Sequence, residues 1–274
     1  MAMPKNLLLV RHGESEGNKA RSLSKKGDDS LYTPEFRNRH NSVFRLTDLG
    51  IQQAKTVGRW IKSDTWIKNT VGSYFFRYYT SSYVRARETA GYLDLPNAVW
   101  FKEPYLRERD WGKMDITSDE ERKTIFAEAM RRRKLDSFLW APTGGGESMA
   151  RVCERTDRVL ETFHRECDEE DVIAACHGET IMSFRVRIER MSPERFHEID
   201  SSKHPFDNIH NCQVIHYTRV NPETGELAPY MNWVRSVCPW DMSLSRNEWE
   251  VIERPRYTNE QLLVAAALYP RIVA

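Results

Sequence analysis

The chain has 274 residues, enough to bury a substantial core, and its 40% hydrophobic and 30% charged residues make an ordinary globular composition. Its 41 Lys and Arg stand against 40 Asp and Glu, a formal charge of +1. That balance argues against a general nucleic-acid or membrane-surface binder, so any attraction for an anionic ligand must be local.

Met1 to Lys5 lacks the long apolar stretch of a signal peptide. Asn6 to Val10 (NLLLV) is a short apolar run suited to a strand buried on both faces, and it ends at Arg11-His12-Gly13. The stretch from Asn18 to Arg45 is polar and irregular. Thr47 can then cap a helix through Gln52, Ala54, Val57, Trp60 and Ile61. Ser73 to Thr80 is aromatic-rich and reads as a second strand, followed at Ser81-Ser82 by a helical pattern over Tyr83 to Leu93. Ala98 to Lys102 is a weaker strand. Thr117 to Gly146 is a charged helical segment with a basic run at Arg131 to Lys134, ending in a Gly-rich loop. Val172 to Cys176 (VIAAC) is a strand running into His177-Gly178. A helix over about Thr180 to Arg190 follows, then an alternating strand at Gln213 to Tyr217. After Cys238 come Trp240, Trp249 and a Thr258-x-x-Gln261 capping box before Leu262, a helix that either docks on the domain or forms an interface. The apolar run Leu262 to Tyr269 is far shorter than the ~20 residues that cross a bilayer.

Strand, loop and helix in this alternation imply an α/β fold: three α/β/α layers around a largely parallel central sheet. Residues 1–274 read as a single domain with lid-like insertions at about 18–45 and 113–146 and a C-terminal extension from about 239. In such sheets ligands gather beyond the carboxyl ends of the strands, where Arg11-His12, Ser81 to Arg85 and His177 all fall. The cysteines, Cys153, Cys167, Cys176, Cys212 and Cys238, are scattered and unpaired in sequence, as free thiols of a cytoplasmic protein would be.

The chemistry-bearing residues point to phosphate. His12 ends a buried strand beside Arg11, whose planar fork suits phosphate oxygens, and Asn18 adds an amide donor. Cys176-His177-Gly178 repeats the strand-His-Gly arrangement. Two such histidines without H-E-x-x-H or Cys/His spacing suit an anionic phosphoryl group better than a metal, and none is expected. Arg85 falls in the first turn of its helix, where backbone donors favour an anion, whereas Arg87 faces elsewhere. Gly144-Gly145-Gly146 is no P-loop, since no Lys-Ser/Thr pair follows. His40, His164, His197, His204, His210 and His216 read as surface or structural, with His40 and His210 the two on loops within reach of the pocket.

Arg11-His12-Gly13-Glu14, Arg85-Ala86-x-x-Thr89 and His177-Gly178 together resemble the histidine phosphatase superfamily, which includes the cofactor-dependent phosphoglycerate mutases. Leu106-Arg107-Glu108-Arg109-Asp110-Trp111-Gly112 is similar to the family's proton-donor segment, and Gly145-Gly146-Glu147-Ser148 resembles its G-G-E-S loop. The five segments occur in the family's order from residue 7 to about 217. The resemblance implies the phosphoglycerate mutase-like fold and a nucleophilic His12, with Arg11, Asn18, Arg85, His177 and Gly178 around the phosphate. Glu108 would be the general acid and base, with Asp110 and Glu103 as nearby alternatives. It also implies no cofactor and a small phosphorylated substrate, with neither nucleic acid nor membrane as partner. Arg109 and Trp111 read as packing or rim residues. Glu16-Gly17-Asn18 stands where mutases carry Trp-Asn, and no F-x-G-W follows, so the chain looks closer to broad-range phosphatases than to mutases. Mutase-type transfer and non-catalytic binding of a phospho-ligand are the alternatives.

Overall fold

The computed structural model describes residues 2–72 and 74–273. Met1 of the N-terminal segment and Ser73, the first residue of the expected second strand, lie outside the described residues. The chain opens with β1 (Asn6–Arg11), α1 (Glu16–Ser24), α2 (Pro34–Asn38), α3 (Asp48–Ser63) and α4 (Thr65–Thr70). Next come β2 (Arg77–Ser81), α5 (Val84–Tyr92), β3 (Trp100–Glu103), α6 (Asp119–Thr124) and α7 (Ala127–Arg133). The second half holds α8 (Met149–Glu166), β4 (Asp171–Cys176), α9 (Gly178–Ile188) and α10 (Pro193–Ser201). It ends with β5 (Val214–Thr218), β6 (Trp233–Val237), β7 (Arg246–Val251) and α11 (Asn259–Ala267).

The seven strands form one sheet in the order β3-β2-β4-β1-β5-β6-β7. β3, β2, β4 and β1 run parallel, and β5, β6 and β7 continue as an antiparallel meander from β1. The α/β layering is thus as expected, with the parallel half carrying the strand ends singled out in the sequence.

Both faces of β1 are covered, which explains its continuous apolar run. Leu7 and Leu9 join a core on one face with residues of α8, α9 and α10, whereas Leu8 and Val10 join a second core with α3 and α4. Each is fully buried, worth about 1.5–3 kcal/mol apiece. β2 starts at Arg77, later than the aromatic run suggested. Its ladder partner on β4 begins at Val172, and of the described residues just before Arg77, Phe75 is buried while Tyr74 and Phe76 are exposed.

The 18–45 segment is not irregular. Ser15 caps α1 through a capping box with Asn18, and Thr33 caps α2. These helices carry no apolar stripe, and Gly17 interrupts α1, so periodicity gave no signal. The segment meets the second insertion directly: Arg37 bonds Glu121 at 2.9 Å, and the Asp119 amide donates to Ser24 Oγ at 2.7 Å.

The C-terminal extension docks through its aromatic residues, and its helix does not. Trp249 packs on Trp66 at 4.6 Å and His216 at 5.0 Å, and Trp240 Nε1 donates to Asn211 O at 2.7 Å. The capping box starts α11 as expected, yet no residue of α11 is buried. Among the described residues no helix is long and apolar enough to cross a membrane.

Candidate active site

Three adjacent strands of the sheet, β2, β4 and β1, deliver the centre of the site at their carboxyl ends. His12 follows β1, His177 follows β4, and Ser81 ends β2. The His12 and His177 rings lie edge to face with centroids 5.1 Å apart, close to the ~4.8 Å between neighbouring strands.

His12 is held in one tautomer. Its Nδ1 lies 2.7 Å from Gly13 O, and a carbonyl can only accept, so the proton sits on Nδ1. Nε2 therefore carries the lone pair, and Arg85 Nε donates to it at 3.1 Å. Burial, then the charges of Arg85 and Arg11, hold the imidazole well below its usual pKa, which keeps it neutral. Gly13 has a role other than open ligand approach. A Cβ there would lie 2.3 Å from Gly50 O, so the missing side chain lets the loop pass the start of α3. Thr47 and Gln53 fasten that crossing through Glu14, and Thr89 Oγ1 accepts from the Gly13 amide at 3.1 Å.

His177 Nε2 sits 2.8 Å from Ser81 Oγ, which itself accepts from the Tyr83 amide. The Ser81 hydroxyl can donate to Nε2, and a proton on Nδ1 then completes the neutral imidazole. That Nδ1 is buried without a partner. Burial, then Arg85, hold His177 well below its ordinary pKa too. Arg85 lies in the first turn of α5, and its Nη1 donates to the backbone carbonyl of Asn41 from the first insertion. Arg87 is exposed, as its position on the helix implied. Arg11 donates through Nη1 to Ile209 O while its Nε is buried and unpartnered. Gly178 opens α9, and a Cβ there would press on that guanidinium at 3.3 Å. Asn18 lines the cavity, with its Oδ1 accepting from Asn211 Nδ2 at 3.0 Å.

Glu108 enters from the loop beyond β3. Its Oε1 accepts from the amides of Arg109 at 3.0 Å and Thr180 at 3.3 Å, leaving Oε2 free. Burial and the neighbouring Glu179 raise its pKa. His12, Glu108 and His177 each place a ligating atom within 4.8 Å of the others. This is the one group among the described residues that could hold a metal ion, but Arg11 and Arg85 bring two fixed positive charges to the same point. That suits an anion and opposes a cation. Asp110 and Glu103 are engaged elsewhere: Asp110 accepts from the Gly112 amide at 2.6 Å, and Glu103 from the Tyr105 amide at 2.9 Å.

A cavity of about 500 Å³ opens over these groups. Both insertions line it, through Arg21, Tyr32 and Asn41 from the first and Asp115 and Arg122 from the second. His40 and His210 do not reach it: His40 caps a short turn and His210 bonds Pro205 O. The basic run stays out as well, with Arg131 paired to Glu128 and Arg133 to Asp200. Arg109 is fully buried and structural, holding Glu147 O, Trp140 O and Glu179. Trp111, by contrast, forms part of the cavity wall. Glu147 of the G-G-E-S segment braces the loop, accepting from Arg107, Arg155 and the Asp110 amide. The sequence placed Ser81 at a ligand-gathering strand end without a role, and it did not single out Asn211. Ser81 had a signal, ending a strand beside the Arg85 helix, whereas Asn211 had none.

Residues 7–218 match the model of the histidine phosphatase superfamily (branch 1). A 2,3-bisphosphoglycerate-dependent phosphoglycerate mutase of Nitrobacter winogradskyi is 30% identical over 202 residues, 69% of this chain and 83% of the relative. Among solved structures, a mycobacterial glucosyl-3-phosphoglycerate phosphatase superposes with a TM-score of 0.59 at 19% identity, covering 78% of this chain and 92% of the other. The α-ribazole phosphatase of Shigella flexneri gives 0.59 at 17% identity, covering 82% and 96%. The chain belongs to the histidine phosphatase superfamily.

Proposed function

We propose that this member of the superfamily hydrolyses small phosphate monoesters without a metal ion, through a phosphohistidine on His12. The observation that carries the reading is a neutral His12 whose unprotonated Nε2 faces the cavity between two buried guanidinium groups. The Nε2 lone pair attacks phosphorus, the N–P bond forms, and the P–O bond to the alcohol breaks. Arg85 then transfers its hydrogen bond from Nε2 to a phosphoryl oxygen, joining Arg11, His177 Nδ1–H and Asn18 around the equatorial oxygens. Glu108, its pKa raised by burial and by Glu179, gives its proton to the leaving alkoxide from the free Oε2. Water next attacks phosphorus and passes a proton back to Glu108. The N–P bond breaks, returning phosphate and a neutral imidazole.

The test is hydrolysis of p-nitrophenyl phosphate by wild type and His12→Ala, with and without EDTA, from mildly acid to neutral pH. Turnover that survives the chelator and disappears in His12→Ala supports the reading. Full activity in His12→Ala overturns the nucleophile, and loss to EDTA overturns metal independence. The 2,3-bisphosphoglycerate-dependent mutases among the relatives favour a second reading, phosphoryl transfer between positions of one substrate. Isomerisation of 3-phosphoglycerate faster than phosphate release would establish it.

A further inference from the structure

The cavity extends past the phosphate position along α1, where its wall changes character. Arg21 and Lys25 line it from α1 and its C-cap, and Arg122 lines it from α6, beside Tyr32 and Trp111. Asn18, Arg21 and Lys25 are spaced by three and four residues, so they share one helix face. At 1.5 Å of rise per residue, Arg21 lies about 4.5 Å and Lys25 about 10 Å beyond Asn18 along the axis. A cationic track thus leads away from the phosphate-binding end.

None of these three cations is in an ion pair: among the described residues none has a carboxylate within 4.0 Å, and Asp119 acts on Lys25 and Arg122, and Asp115 on Arg122, only from farther off. Asp119 pairs with Lys123 at 2.6 Å, Glu121 with Arg37 at 2.9 Å, and Glu16 with Arg39 at 3.5 Å. The Trp111 ring makes the contrast plain, with four guanidinium groups within 6 Å of its centroid. Two of them, Arg109 and Arg133, are neutralised by Glu179 and Asp200. The other two, Arg21 and Arg122, each 5.6 Å from the ring, are not. Arg122 is only 8% exposed, and one of its amino groups donates to Met114 O while its Nε is buried without a partner. Burial and the charge of Arg21 press its pKa down to about 10. A buried guanidinium with an orphaned donor is costly unless an anion completes it.

We infer that this end of the cavity binds a second anionic group, a phosphate or a carboxylate, on the same molecule as the phosphate to be cleaved. The substrate class is then a phosphomonoester bearing another anion a short linker away. This rests on the phosphatase reading for the scissile end, while the subsite itself is carried by Arg21, Lys25 and Arg122.

The experiment compares butane-1,4-diol bisphosphate and 3-phosphoglycerate with butyl phosphate and glycerol 3-phosphate. The readouts are turnover by wild type and calorimetric binding to His12→Ala, which reports the subsite whether or not turnover occurs. The expected result is a preference of roughly tenfold or more for the doubly anionic partner in kcat/KM and in Kd, as one charge-assisted contact would give. In Arg21→Gln/Lys25→Gln/Arg122→Gln the ratio falls to near one, and in Arg21→Lys/Lys25→Arg it is largely kept. A general folding defect would lower both members of a pair and leave the ratio. Equal binding of singly and doubly anionic ligands overturns the subsite, as does a ratio that survives the neutralised variant. Preferential binding to His12→Ala with no hydrolysis of any ester by wild type would keep the subsite and overturn the phosphatase reading. A preference for the bisphosphate alone, with 3-phosphoglycerate no better than glycerol 3-phosphate, assigns the subsite to phosphate, and the reverse assigns it to carboxylate.

Discussion

Replacing Glu108 by glutamine separates proton transfer from the rest of the site. The Oε1 anchor to the Arg109 and Thr180 amides survives, because the carboxamide oxygen accepts the same two bonds. What is lost is the transferable proton on the second oxygen. Positioned proton transfer contributes typically 10²–10⁴-fold, about 3–5.5 kcal/mol of barrier. That loss should fall unevenly. An alkyl phosphate expels a strongly basic alkoxide and needs the proton, so Glu108→Gln should form phosphoenzyme from it about 10²–10⁴-fold more slowly. p-Nitrophenyl phosphate expels a far more acidic alcohol and should still phosphorylate His12, after which slow attack by water lets phosphohistidine accumulate. Rapid-quench kinetics would show a burst of nitrophenol stoichiometric with enzyme. The wild-type pH profile adds a sign. Burial and Glu179 raise Glu108 above the usual carboxylate range, so phosphorylation by alkyl esters should fall as pH rises through that elevated value. The glutamine variant should lack that limb. Equal losses on both substrates, or an unchanged basic limb, would refute Glu108 as the acid.

Three further predictions follow from positions around the site. Ser81→Ala removes the partner of a fully buried imidazole and should cost about 1–3 kcal/mol in chemical denaturation, with a fall in kcat that Ser81→Thr partly restores. Unchanged kcat would show that His177 needs no positioning from β2. Gly13→Ala drives a methyl group to 2.3 Å from the Gly50 carbonyl, a backbone atom that cannot swing aside. It should lose about 4 kcal/mol or more, and a melting temperature within about 2 °C of wild type would contradict the close crossing. Burial lifts Asp115 from 3.8 to about 7. Its contribution to stability is therefore full below the unfolded value and is lost as pH rises through about 7, with an upper bound of about 4 kcal/mol. Asp115→Asn should flatten the stability curve measured by denaturation between about pH 4 and pH 7, and parallel curves would remove Asp115 as the cause.

The parallel half of the fold was legible because its strands are short, apolar and end in chemistry. β1 and β4 each run straight into a histidine, and the helix at Arg85 begins where the aromatic strand stops. The elements that escaped notice are held by caps and by contacts far away in sequence, not by an apolar stripe. α1 is fixed by a capping box and by its junction with the second insertion, neither of which produces apolar periodicity. The antiparallel direction of β5 is set by pairing with β1, more than two hundred residues earlier, and the strand's own alternation is silent about it. Arg21, Asn41, Asp115 and Arg122 reach the cavity only because the two insertions meet. Taken singly, each reads as a surface polar residue. Trp111 was read as packing or rim, since the sequence cannot show which arginines will surround an indole and which of those will find a carboxylate.

The 5.1 Å between the His12 and His177 rings nearly equals the gap between neighbouring strands of one sheet. The spacing of the two histidines proposed to handle the phosphoryl group is therefore inherited from backbone hydrogen bonding and owes little to the loops. The rim that meets the remainder of the ligand comes from two insertions joined by ion pairs and caps, and these can lengthen, shorten or exchange charge without disturbing the ladder beneath. The two histidines and most of the cavity rim thus occupy separate mechanical parts of the molecule. Exchanging residues 19–40 and 113–146 between family members is accordingly proposed as a route to new substrates that keeps Asn18 and the Asn41 carbonyl beside the proposed reaction centre.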